Sequence, residues 1–370
     1  MRYKCYICHK TYPVATTIFK CDCGGFFVVE HQGKFSGQEI RDRKDTTIWR
    51  YRETFGLPDA AEPVSLGEGR TPLVKRQIDG KNVLFKMDFM QPTGSFKDRG
   101  ASVLISVVKA LGVNSVVEDS SGNAGAAIAA YSKAAGISCT VFVPEYTPEE
   151  KLIQIRLFGA KVVKVSGTRQ DANSAAIEAA RSQFYASHLW NPFFSIGIQS
   201  SAFEIWEELD GKVPPYVVVP VGSGGLLEGL YMGFKLLLEA GYYKQIPKMI
   251  GVQAENCMPV HDAFKKGFED FSDVEVKPTV AEGISVQKPP RARAVLKAIR
   301  DSGGRTVSVN DDEILQAMRV LISMGIFVEP TSAAALAGWY KLSPLERDGA
   351  VVVLTGNGLK ESKKLEKLLL

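Results

Sequence analysis

From Val113 onward, short apolar runs alternate with small-residue turns and amphipathic stretches, the pattern of strand, turn and helix. Ser115-Val116-Val117 predicts a strand that passes through 120–125 into a small-residue helix over 126–135. Strands over 139–144 and 161–165 and helices over 148–158 and 171–181 follow. Beyond Asn191-Pro192 the periods predict a helix 198–209, a β-branched strand 216–220, a turn and helix 222–238 and a strand 248–252. A strand 306–309, helices 311–324 and 331–342 and a strand 351–354 complete the pattern. Upstream, a helix falls around 47–55, a strand over 82–87 and a helix with apolar periodicity over 101–111, while the two glycines and proline of 66–73 mark a shaped loop. Repeated βα units with short connections imply parallel sheets with helices on their faces. The fold class is therefore α/β, in two open, twisted, mostly parallel-sheet domains. The smaller spans 111–195 and the larger is assembled from 36–110 and 196–370.

Composition bounds the function classes. The 370 residues are 45% hydrophobic and 23% charged, enough chain for two cores. The formal charge of +4 is spread along the sequence and gives no nucleic-acid or membrane footprint. No long apolar run or signal-peptide core is present, so a cytoplasmic protein is expected. Cys139 and Cys257 read as structural thiols. Cys5, Cys8, Cys21 and Cys23 form a Cys-x-x-Cys and a Cys-x-Cys pair, the second followed by Gly24-Gly25, which lets the backbone turn beneath it. Such pairs can close around a tetrahedral zinc ion with no open position for chemistry, making 1–35 a zinc-ribbon-like segment or else a vestigial knuckle.

Chemistry concentrates in four stretches. Pro92-Thr93-Gly94-Ser95-Phe96-Lys97-Asp98-Arg99-Gly100 holds one lysine at a helix entry, with Ser95 as the expected cap. A lysine fixed in this way can form a Schiff base with an aldehyde. Ser120-Ser121-Gly122-Asn123-Ala124-Gly125 can hold a carboxylate at a helix start. Gly222-Ser223-Gly224-Gly225-Leu226 can fold into a nest of N–H groups for a phosphate. Thr355-Gly356-Asn357-Gly358 follows the last strand. Leu227 stands where a dinucleotide fingerprint requires glycine, and no Gly-Lys-Ser/Thr follows for a nucleotide phosphate loop. Lysine, carboxylate turn, phosphate nest and hydroxyl turn together fit a phosphorylated aldehyde cofactor.

The lysine stretch resembles the Schiff-base motif of the pyridoxal 5'-phosphate enzymes of the tryptophan synthase β fold (fold type II), and its wording is most similar to threonine synthases. The resemblance extends over nearly the whole chain, including the amino-terminal cysteines. It implies pyridoxal 5'-phosphate in the cleft between the two domains, with Lys97 as catalytic and Schiff-base lysine and Asn123 on the cofactor's 3-hydroxyl. It further implies Gly222, Ser223, Gly224, Gly225 and Leu226 on the phosphate, Thr355 facing the pyridine nitrogen, and Ser120 and Ser121 receiving the substrate α-carboxylate. A small amino-acid substrate, possession of lyase activity and a homodimer or higher homo-oligomer belong to the same expectation. Three features depart from the threonine synthase pattern. His188-Leu189 and Phe194 stand where an Asn-Ser pair and an Arg usually hold the phosphate of O-phosphohomoserine. Ala281-Glu282-Gly283-Ile284-Ser285-Val286 and the glycine pair 224–225 resemble serine and threonine dehydratases. The reaction is thus expected to be threonine synthase-type, with dehydratase-like β-elimination or cysteate synthase-like β-replacement as the alternative. A non-catalytic cofactor-binding protein is disfavoured by the intact lysine.

Overall fold

The computed structural model describes residues 1–30 and 33–370; His31 and Gln32, within the expected segment 1–35, lie outside the described residues. Among the described residues the strands are β1 (Arg2–Cys5), β2 (Thr11–Pro13), β3 (Phe27–Val29), β4 (Leu73–Ile78), β5 (Lys81–Lys86), β6 (Ser115–Glu118), β7 (Ser138–Pro144), β8 (Lys161–Val165), β9 (Phe184–Tyr185), β10 (Tyr216–Pro220), β11 (Lys248–Ala254), β12 (Arg305–Val309) and β13 (Ala350–Val353). They form three sheets, ordered β2-β1-β3, β8-β7-β6-β9 and β12-β11-β10-β13-β5-β4. No helix among the described residues is long and apolar enough to cross a membrane.

The chain packs as two units. The first comprises residues 1–69, 91–93 and 97–200, the second residues 70–90, 94–96 and 201–370. The sequence reading drew its lines at 110/111 and 195/196. Packing groups the helix Lys97–Ala110 with the four-stranded sheet, because that helix lies against the helices Asn123–Ala135 and Pro192–Ile198.

In the first unit the amino-terminal sheet is antiparallel, with Tyr3 opposite both Tyr12 and Val29. Tyr3 stacks on Phe27 at 5.4 Å, which gives this small sheet an aromatic core. The four-stranded sheet is wholly parallel. Its central β6 buries Val116 and Val117 completely, and the alanines of Asn123–Ala135 let that helix lie close. The helix expected over 198–209 is two helices, Pro192–Ile198 and Ser200–Glu208. The break falls at Gln199, whose buried amide donates to the Thr54 carbonyl at 2.8 Å.

In the second unit β12, β11, β10, β13 and β5 run parallel and β4 adds an antiparallel edge, with Leu73 opposite Lys86. The central β10 and β13 are apolar runs buried on both faces, as parallel strands between helix layers must be. Sequence periodicity missed β4 and the helices Pro259–Lys266, Ala292–Asp301 and Ser362–Leu369. The fold class matches the sequence expectation of α/β with mostly parallel sheets and a small cysteine-bearing segment.

A lysine–glutamate ion pair is buried inside the second unit. Lys86 is 0% exposed, with Nζ 2.6 Å from Glu204 Oε2 and 2.6 Å from the Thr71 carbonyl oxygen. Glu204 also accepts from the Arg70 amide at 2.9 Å, so the pair ties the start of β4 and the end of β5 to a helix. Lys86→Met strips a buried carboxylate of its cation and is expected to cost about 3–5 kcal/mol. The check is a clearly lower urea midpoint; a midpoint equal to wild type would show that the pair carries no net stability.

Candidate functional site

In the first unit Lys97 is the first residue of its helix. The expected Ser95 cap is not made: the Ser95 hydroxyl is buried without a hydrogen-bond partner among the described residues. The turn is held instead by Asp98, whose carboxylate accepts from the Thr93 amide at 2.6 Å and the Thr93 hydroxyl at 2.5 Å. Asp98 is fully buried, so this clasp is shielded from water. Lys97 Nζ lies 5.6 Å from the centre of the Phe194 ring, and Phe194 is 1% exposed.

Ser120 and Ser121 lie between β6 and the helix Asn123–Ala135, and Asn123 is that helix's first residue. The Ser120 hydroxyl accepts weakly from the Gly122 amide at 3.3 Å. No side chain caps this helix, and a Cβ at Gly125 would lie 1.9 Å from the Ser120 carbonyl oxygen. The first turn is therefore tight, and its N–H groups meet no side-chain cap, the condition for receiving an anion.

Sequence reasoning missed the polar cluster at the end of β6. Asp119 is fully buried and accepts from Arg169 Nη2 at 2.7 Å, Asn173 Nδ2 at 2.9 Å and the Tyr185 hydroxyl at 2.8 Å. Glu118 Oε1 lies 2.6 Å from His188 Nδ1. Burial, then the neighbouring Asp119 charge, holds the Glu118 carboxyl well above its ordinary pKa. Burial, then the positive charges of Lys97 and Arg169, holds the His188 imidazole well below its own. Glu118 and Asp119 end an apolar strand, and that adjacency was the available signal.

In the second unit the stretch Gly222–Leu226 joins β10 to the helix Gly225–Glu239. Gly224 is the helix N-cap with φ +95°, no side chain caps the helix, and a Cβ there would meet Val295 Cγ2 at 2.2 Å. A Cβ on Gly222 would lie 3.0 Å from the Gly283 carbonyl oxygen. This cradle favours glycine and leaves the N-terminal N–H groups without a side-chain cap, a fit for a phosphate.

Thr355 follows β13 and is buried, with its hydroxyl 3.0 Å from that of Ser332. Ser332, which sequence reasoning missed, also accepts from the amides of Thr355 and Gly356 at 2.9 and 2.8 Å. It thereby fixes the direction of the Thr355 turn. Arg291 and Arg293, cations that follow Gly283 in the sequence, are engaged by carboxylates. Arg291 is buried in a two-point pair with Glu228, and Arg293 Nε is 2.8 Å from Asp270.

The four amino-terminal cysteines meet. Cys5 Sγ is 3.5 Å from Cys23 Sγ and Cys8 Sγ 3.4 Å from Cys21 Sγ, and all four sulfurs lie within 4.8 Å of one another. Sulfurs about 2.3 Å from a tetrahedral zinc sit roughly 3.8 Å apart, so the cluster is sized for a metal ion. A Cβ at Gly25 would come 2.6 Å from Cys5 Sγ, which accounts for the glycine there.

Residues 64–356 match the family model described as pyridoxal-phosphate dependent enzyme. A threonine synthase of Methanocaldococcus jannaschii is 37% identical over 98% of this chain and 93% of its own. A threonine synthase of Methanosarcina acetivorans is 38% identical over 97% of this chain and 92% of its own. Among solved structures, a threonine deaminase of T.th. superposes with a TM-score of 0.67 at 26% identity, over 78% of this chain and 92% of that one.

The Gly224 cradle generates a direct test. Gly224→Ala strains a positive φ and drives a methyl group into Val295, so the variant should lose bound pyridoxal phosphate on dialysis while keeping its far-ultraviolet circular dichroism. Retention of the cofactor at the wild-type level would remove the 222–226 turn from the site.

Proposed function

The chain belongs to the family of pyridoxal-phosphate dependent enzymes, and from that premise we propose that this lyase converts O-phosphohomoserine to threonine and phosphate. The observation that carries the reading is Lys97 at the first turn of its helix, clasped by Thr93 and Asp98. When bound, the cofactor supplies an electron sink for negative charge developing at the substrate α-carbon. The protein's own residues do the rest. Lys97 takes the α-proton and later returns one, as general base and acid. Ser120 and Ser121, at a helix terminus without a side-chain cap, would bind the α-carboxylate, and Asn123 would hold the cofactor at its 3-hydroxyl. Gly222, Ser223, Gly224, Gly225 and Leu226 anchor the cofactor phosphate. The Thr355 hydroxyl, fixed by Ser332, would serve as a neutral partner to the pyridine nitrogen.

Phe194 favours a second reading. It is buried beside Lys97 where the threonine synthase pattern has a phosphate-binding arginine, and Arg291 and Arg293 are already held by carboxylates. A serine/threonine dehydratase-like elimination needs no such arginine, and cysteate synthase-like replacement is its close relative. Spectral titration of the holoenzyme, with product analysis, separates the cases. Threonine and phosphate from O-phosphohomoserine support the first reading; ammonia with pyruvate or 2-oxobutyrate from serine or threonine replaces it by the second. In either case Lys97→Ala is expected to abolish turnover, and the visible absorbance band of the holoenzyme should disappear or shift.

We further propose that Cys5, Cys8, Cys21 and Cys23 hold one structural zinc ion. Elemental analysis of protein made with ample zinc should find about one ion per chain. Chelation should raise amide exchange across β1, β2 and β3 and leave the cofactor absorbance unchanged, because a closed thiolate site stabilises its own segment. Absence of zinc would make the cluster a vestigial knuckle.

A further inference from the structure

A buried carboxyl and a histidine lie beside the lysine, and no role above uses them. Glu118 is 0% exposed, and its Oε2 has no hydrogen-bond partner among the described residues. An ionised carboxylate with one oxygen abandoned out of water is costly, whereas a protonated acid that spends its hydrogen on Nδ1 avoids most of that cost. His188 is 11% exposed at its side chain, and its Nδ1 is occupied by Glu118 at 2.6 Å. Its Nε2 makes no protein hydrogen bond among the described residues. The His188 ring meets Phe194 edge to face at 5.9 Å, and Lys97 Nζ lies 5.6 Å from the centre of that same Phe194 ring. One aromatic ring is thus shared by the lysine and the imidazole.

We propose that Glu118 and His188 form a proton relay in which His188 Nε2–H donates to the side-chain oxygen of the amino-acid substrate and Glu118 restores the proton from behind. The proposal rests on the elimination or replacement reading, and it names the substrate class as amino acids bearing an oxygen at the departing position. As the carbon–oxygen bond breaks, the oxygen leaves with the bonding pair and takes the Nε2 proton. The Glu118 proton then passes to Nδ1, leaving a carboxylate against a neutral imidazole. A departing hydroxyl becomes water, and the α-proton is held on Lys97. The pKa directions agree with the starting state, since burial favours the neutral acid and the neutral imidazole. The charged or titratable groups around the pair are Asp119, Lys97, Arg169, Tyr185 and Cys139. Lys97 and Arg169 lower the cost of the carboxylate formed at the end of the transfer. Glu118 is a positioning residue under this assignment, and His188 is the group that meets substrate.

Nitrogen-resolved NMR of the wild-type holoenzyme tests the starting state without turnover. His188 should appear as a neutral ring with hydrogen on Nε2 and an accepting Nδ1, and addition of serine or of O-phosphohomoserine should perturb Nε2. An imidazolium, the Nδ1–H tautomer of a carboxylate-paired ring, or an Nε2 unmoved by both amino acids overturns the proposal. Glu118→Gln keeps a donor to Nδ1 but cannot pass a proton. With a hydroxyl-leaving substrate kcat should fall roughly 100-fold, as expected for loss of general-acid catalysis, with KM nearly unchanged. His188→Asn should lose kcat similarly and raise KM. With a phosphate-leaving substrate, which departs without protonation, both losses should be much smaller. Wild-type kinetics in Glu118→Gln, or equal losses with both leaving groups, overturns the relay. If the enzyme turns over none of these amino acids, the reading above fails, while the NMR result still decides whether His188 meets an amino acid.

Discussion

Two helices of the first unit touch backbone to backbone, and the surroundings of Lys97 depend on that contact. A Cβ on Gly197 would lie 2.1 Å from the Arg99 carbonyl oxygen, and one on Gly100 would lie 2.6 Å from Phe194 Cδ1. Without side chains at these two positions the helix Pro192–Ile198 can approach Lys97–Ala110 more closely than ordinary packed helices do. The Phe194 ring fills the space above Gly100, and Lys97 Nζ lies over that ring. The edge of His188 meets the same ring. Arg99, fully buried in the same interface, donates to the Ser200 hydroxyl at 3.0 Å and locks the start of the next helix. The aromatic face beside Lys97 is therefore a packing result, set by two glycines and a phenylalanine.

Buried carboxylates do the corresponding work for the loops. Glu68 accepts from Trp49 Nε1 at 3.1 Å, the Ser102 hydroxyl at 2.7 Å, the Tyr131 hydroxyl at 2.8 Å and the Leu66 amide at 2.9 Å. That explains the shaped stretch 66–73, whose glycines and proline permit a bend that Glu68 then fixes. Asp98 and Asp119 in the first unit and Glu204 in the second are satisfied in the same manner, each by backbone, hydroxyl or cationic donors. Such groups are held because their acceptor oxygens have donors, the condition under which a buried charge is tolerable. Glu118 breaks the pattern: its Oε1 meets an imidazole, and its Oε2 has no hydrogen-bond partner among the described residues. Its difference from the structural carboxylates is what marks it as chemically separate.

The parallel strands were legible because they are short β-branched runs bounded by glycine or proline, and Lys161–Val165 and Tyr216–Pro220 fall where periodicity set them. The edge strand β4 was not, since Val74-Lys75-Arg76-Gln77 is polar on its exposed face and its pairing is with a neighbour in space. The helix Ala292–Asp301 was hidden by its arginines: Arg293 is engaged by the Asp270 carboxylate and Arg300 by the Phe268 carbonyl, distant acceptors that no local pattern shows. At the site, the lysine loop and the glycine turns are local sequence features and could be read. The Glu118–His188 contact spans 70 residues, and the Ser332 clasp on Thr355 spans 23, so both depend on which strand ends the fold brings together. Ser95 shows the converse error: its hydroxyl has the right chemistry for a cap but makes no hydrogen bond among the described residues, and the turn is held instead by Asp98 accepting from Thr93.

Family and substrate draw on different residues. Identity of 37–38% to threonine synthases over nearly the whole chain, with the pyridoxal-phosphate family match over residues 64–356, supports the reaction class. Under the proposal, leaving-group preference rests with the few side chains beside Lys97. An arginine there would bind a substrate phosphate through charge-assisted hydrogen bonds, each worth roughly 1.5–3 kcal/mol. Phe194 offers none, and substituting a buried ring for a guanidinium also leaves the phosphate less well solvated in that part of the unit. Charge from Arg291 cannot be redirected without abandoning Glu228 in a buried position, which costs more than one phosphate contact returns. The neutral Glu118–His188 pair supplies what a poor leaving group needs and a phosphate does not: a proton. Under the proposed relay, the side chains around Lys97 would serve an oxygen that must be protonated to depart, on the frame of a threonine synthase relative.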